Sequence, residues 1–136
     1  MSPAEAAKIS REKGKLAQQY IRAKEYRKAA ELYEEIAPLD PTSHSWNLNE
    51  AAAAWLKLGN EKNALRLALA TEKAPAEARN EQLTHFFERT LGDTFMTLGK
   101  PKKAIPHYEI ALQTTTSESY LKDTKASLLE AIEKSN

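Results

Sequence analysis

Three histidines, His44, His85 and His107, are the side chains of this 136-residue chain best suited to proton transfer or metal ligation. A helical metal site needs a second strong ligand one turn away, and none of the three is followed at i+3 or i+4 by another histidine or a cysteine. The adjacent carboxylates Glu34 and Glu35 could in principle work as an acid and a base. They fall on a helix that reads as solvent-facing, where surface ion pairs are the better account. No HExxH, GxxxxGK, GxSxG or GxGxxG pattern occurs, and 4 glycines are too few to cradle a phosphate. The expectation is a protein without catalytic, metal or cofactor sites, whose histidines are structural.

Composition narrows the class further. Apolar content of 41% with 29% charge is that of an ordinary soluble domain, and one modest core fits this length. There is no Cys, which removes disulfides and thiolate sites. The longest apolar run, Ala51 to Leu56, is far too short to span a bilayer. The opening MSPAEAAKIS lacks an apolar signal core, so a cytoplasmic location is expected, with a nuclear one also open. The net charge of +1 is unevenly spread: residues 1–30 hold eight Lys/Arg against three Glu, and residues 31–100 hold seven against eleven acids. A basic first helix could touch nucleic acid, but no aromatic or glycine-rich element accompanies it, so a solvated face is expected.

The elements that position these residues are helices. Ser2-Pro3-Ala4-Glu5 has the form of a capping box, predicting a first helix to about Arg22 with Ile9, Leu16, Ala17 and Tyr20 on its buried face. Gly14 inside it costs about 1 kcal/mol against Ala. A second helix from about Glu25 to Ala37 ends at Pro38 and Pro41. Pro75 ends a later helix. From Ala76 a stripe of Leu83, Phe87, Leu91, Phe95 and Leu98 predicts a fifth helix lengthened at its start. Pro106 should bend the sixth. A seventh, from Ser117 to Ser135, presents Leu121, Leu128, Leu129 and Ile132, with Thr115 and Glu118 as its capping box.

Three columns keep one register. Ala17, Ala52 and Gly92 are spaced by 35 and 40 residues, as are Tyr20, Trp55 and Phe95, and again Ala29, Ala64 and Ala104. In TLGDTFMTLGKPKKAIPHYEIAL, residues 90–112, Gly99 closes one helix and Pro101 opens the next, and Gly92 with Ala104 lets two helices approach beside Phe95 and Tyr108.

This pattern resembles the tetratricopeptide repeat, a helix pair of about 34 residues marked by Trp, Leu-Gly, Tyr, Ala, Phe and Pro. The resemblance covers essentially the whole chain. It implies an all-α solenoid of three antiparallel helix pairs in a right-handed superhelix, with repeats at about 10–43, 45–79 and 85–116 and a C-terminal capping helix at about 117–135. The chain departs from the pattern in several places. Lys13, Leu48 and Glu88 occupy the first aromatic position, Ala68 replaces the second-helix aromatic, and Lys24 stands where Gly59 and Gly99 sit later.

In that family the first helix of each repeat lines a concave, peptide-binding face. The resemblance therefore implies a groove formed by Arg11, Lys15, Gln18 and Arg22, then Trp46, Asn49, Leu56 and Lys57, then Phe86, Arg89, Asp93 and Met96. Gly14, Ile21, Glu50, Ala53, Thr90 and Thr97 share those positions. The mix of apolar anchors and basic rim suits an acidic-amphipathic peptide or helix, with Trp46, Phe86 and Arg89 the central contacts. The alternative is that the seventh helix or the insertion after Thr71 covers the apolar members. The family's carboxylate-gripping set of Lys, Asn, Asn, Lys and Arg is met here by Gly14, Gln18, Glu50, Phe86 and Thr90, so chaperone-tail binding is not expected. The implied function is a non-catalytic scaffold, adaptor or co-chaperone for a protein partner, with no small-molecule substrate and nucleic acid disfavoured. A self-associating homodimer, or a chaperone for apolar segments of a secreted client, is the alternative.

Overall fold

The computed structural model describes residues 1–73 and 81–136. Those residues are all-α: α1 (Pro3–Arg22), α2 (Tyr26–Ile36), α3 (His44–Lys57), α4 (Glu61–Glu72), α5 (Glu81–Thr97), α6 (Pro101–Gln113) and α7 (Glu118–Ser135), with a 3-10 turn at Ala37–Leu39. The chain divides into two compact units, Met1–Ala78 and Arg79–Asn136. In the first, α1 packs on α2, α2 on α3 and α3 on α4. In the second, α5 packs on α6 and α6 on α7. Consecutive packing of this kind is compatible with a helical repeat. No helix among the described residues is long and apolar enough to cross a membrane.

Local chemistry accounts for the helix ends. Ser2 caps α1 by accepting the Glu5 N–H at 3.1 Å, with Pro3 in the first turn. The ends of α1, α3 and α5 close in the same way. Lys24, Gly59 and Gly99 take left-handed conformations, with φ of 59°, 74° and 71°. Their own N–H groups donate to the carbonyls of Ile21, Leu56 and Met96, at 3.0, 2.9 and 3.0 Å. The next N–H in each case, from Glu25, Asn60 and Lys100, donates to Tyr20, Trp55 and Phe95, at 2.8, 2.9 and 2.8 Å. This is the paired closure of a Schellman motif, used at one register of three helix pairs.

The repeated columns lie in the core. Ala17, Ala52, Ala29, Ala64 and Ala104 are fully buried, Trp55 is buried, and Tyr20 and Phe95 are half-buried. On α1 the buried stripe is narrower than expected: Ser10 and Ala17 are buried, Ile9 and Tyr20 half-buried, and Leu16 exposed. Leu16 sits one residue, about 100° of helix, away from Ala17. The close approach is made by small residues, with Ile36 of α2 over Gly14, its Cδ1 3.8 Å from where a Cβ would stand.

On α5, Phe87 and Leu91 are buried, and Phe95 and Leu98 half-buried, as the stripe predicted. The expected extension before Glu81 lies outside the described residues, and the Leu83 side chain is likewise not described. Helix α6 continues through Pro106. The face of α7 differs from expectation. Thr124 and Ala131 are buried and Leu128 is half-buried, while Leu129 and Ile132 are 66% and 42% exposed. Its N-cap is Ser117, which accepts the Tyr120 N–H at 3.4 Å, and Thr115 accepts the N–H of Ser117.

Candidate partner-binding surface

In the first unit, Arg11, Lys15, Gln18 and Arg22 recur every three or four residues along α1, and all four are exposed. One face of this helix therefore presents three cations. On α3, Trp46 and Leu56 are half-buried and Lys57 is exposed. Asn49 is not at the surface: it is 3% exposed, and its Oδ1 has no hydrogen-bond partner among the described residues. Among the described residues, Ser45 Oγ and Asn47 Nδ2 on the same helix are also unpartnered. Each such atom costs about 1–3 kcal/mol. Burial raises the pKa of Glu50 above the usual carboxylate range. Burial, followed by the nearby Glu50 charge, pushes the Tyr33 hydroxyl up to about 12.

In the second unit, Phe86 packs edge-on against Tyr120 of α7, with ring centroids 5.2 Å apart. Met96 packs with Phe95, Ile105 and Leu128 on a core of Ala104, Tyr108 and Ala131. Helix α7 thus covers part of two apolar residues expected to face a partner. Arg89 and Asp93 are half-buried, and Asp93 accepts the Tyr108 hydroxyl at 2.6 Å. Asp93, Met96, Tyr108, Glu130 and Lys134 line an open hollow of about 300 Å³.

The histidines act between elements. His44 Nδ1–H donates to the Ala37 carbonyl at 2.8 Å, and His85 Nδ1–H to the Ala111 carbonyl at 2.7 Å. His107 Nδ1 lies 2.6 Å from the Glu88 carboxylate while its ring stacks on Phe95. Two of these bonds tie α5 to α6. The second also gives the buried Glu88 carboxylate a partner across the helix pair. Glu34 is likewise not the solvated residue expected. It accepts from Trp55 Nε1 at 2.8 Å and from Arg66 at 2.9 Å, joining α2 to α3 and α4. Glu35 is exposed and pairs with Lys13 at 3.3 Å.

A second cavity, of about 200 Å³, has no counterpart in any sequence motif. Its walls are His85 and Phe86 of α5, the 114–117 connector and Tyr120. Nothing local marks it, since His85 meets Ala111 across 26 residues of sequence. Comparison with protein-family models and with curated proteins finds no match to this chain.

Proposed function

We propose that the chain is a non-catalytic tetratricopeptide-type scaffold that holds a partner peptide or helix against the first helices of its helix pairs. The observation that supports this most is the threefold helix closure at Lys24, Gly59 and Gly99, one register of the small–aromatic–alanine pattern. Three pairs closed alike are what a right-handed solenoid would be assembled from, and solenoids work through extended surfaces rather than enclosed catalytic sites. The α1 cations would set on-rate and register, while Trp46 and Phe86 would supply burial. An acidic-amphipathic partner fits that division, and an adaptor or co-chaperone role follows from it.

The test is affinity capture from native lysate with the wild type and a Trp46→Ala/Arg89→Glu variant of unchanged helical content. A partner kept by the first and lost by the second supports the proposal. Equal capture by both moves the working surface elsewhere.

A second reading is self-association, favoured by one observation, the exposed Leu129 and Ile132 of α7. It requires a mass that rises with concentration in light scattering and falls to the monomer value in a Leu129→Lys/Ile132→Lys variant.

A further inference from the structure

We propose that the cavity beside Phe86 is a specificity pocket for one aromatic side chain of the partner that carries a hydrogen-bond donor, a tyrosine or a tryptophan. This rests on the scaffold reading above. The argument begins with His85, which is 1% exposed. Its Nδ1 faces the Ala111 carbonyl at 2.7 Å, and a carbonyl only accepts, so Nδ1 carries the proton. In the neutral ring Nε2 is then a lone pair, and it has no hydrogen-bond partner among the described residues. A buried acceptor left without a donor favours any ligand that supplies one.

The surroundings select the ligand. Tyr120 stacks on the His85 ring with centroids 5.4 Å apart, and Phe86 stands edge-on to both rings, at 5.5 Å from His85. Flat aromatic walls favour a flat guest. The volume of about 200 Å³ is below the roughly 300–1,000 Å³ of a drug-sized or cofactor site, so the guest is a single side chain. His85 and Tyr120 both line the cavity, so a donor seated there lies beside the ring that carries the open acceptor. A phenol O–H or an indole N–H meets both requirements, whereas phenylalanine meets only the second.

The experiment titrates the ¹⁵N-labelled chain with N-acetyl-tyrosinamide and with N-acetyl-phenylalaninamide, reading the His85 ring nitrogens and the backbone amides. The expected result is a shift of His85 Nε2 with the tyrosine amide and binding about tenfold weaker for the phenylalanine amide, the discrimination a single hydrogen bond provides. His85→Phe should bring the two amides to equal affinity. Equal affinities in the wild type, or shifts that map away from His85, overturn the proposal. Should His85→Phe fail to fold, the Nε2 shift in the unaltered chain still decides it. Neither Trp46 nor Arg89 lines this cavity, so loss of amide discrimination sinks the pocket without touching the scaffold reading. Unchanged capture by the Trp46/Arg89 variant sinks the scaffold reading alone.

Discussion

A Cβ placed on Gly92 would stand 2.5 Å from the Tyr108 ring, so α5 and α6 approach at a point where only hydrogen fits. The same ring donates its hydroxyl to Asp93 at 2.6 Å, which holds it over Gly92 and removes its freedom to retreat. Gly92→Ala should therefore cost about 1–3 kcal/mol despite the better helix propensity of alanine. Gly14 has the opposite environment, with its nearest neighbour at an ordinary 3.8 Å. Gly14→Ala should stabilise by up to about 1 kcal/mol. Urea unfolding of both variants checks the pair, and two changes of the same sign would contradict the packing.

Lys24 holds a φ of 59° in the position that Gly59 and Gly99 fill at the two later closures. The Cβ of a lysine is strained there. Lys24→Gly should raise stability by about 1 kcal/mol, while Gly59→Ala and Gly99→Ala should lower it by a similar amount. Thermal unfolding followed by circular dichroism measures all three.

Glu50 titrates at a raised pKa in the folded chain because burial disfavours its charge. For a raised pKa, stability is fully present below the unfolded value and is lost as pH rises through the folded one. Glu50→Gln should therefore be more stable than wild type at pH 7, with the difference vanishing at acid pH. Tyr33 follows the same sign at the alkaline end, where its contribution is lost between about 10 and about 12. Tyr33→Phe should retain more stability than wild type above pH 10. A Glu50→Gln advantage that grows on acidification would overturn the assignment.

Leu128 packs on the Ala104, Tyr108 and Ala131 core, and its neighbour Leu129 is 66% exposed. Leu128→Ala should cost about 2 kcal/mol, at the low end for a leucine because the site is half-buried. Leu129→Ala should stay within about 0.5 kcal/mol. Chemical denaturation of the two variants distinguishes them, and equal losses would place the α7 interface on the wrong face.

The sequence by itself determined the helices, most of their ends and the register of their small residues. Capping at Ser2, the glycine closures at Gly59 and Gly99, and small residues at fixed spacing are interactions within one turn or one helix pair, so residue type and position specify them. It also located the core alanines, because a column that admits only small side chains reads the same in every helix pair. Only tertiary structure decided which of two adjacent leucines on α7 turns inward. Leu128 and Leu129 are equally apolar and 100° apart, and the choice depends on how α6 presents Tyr108. Tertiary structure also buried Asn49, paired Glu88 with His107, and set Tyr120 against His85 and Phe86. Those contacts join residues far apart in sequence, through side chains whose own neighbourhoods carry no sign of the partner.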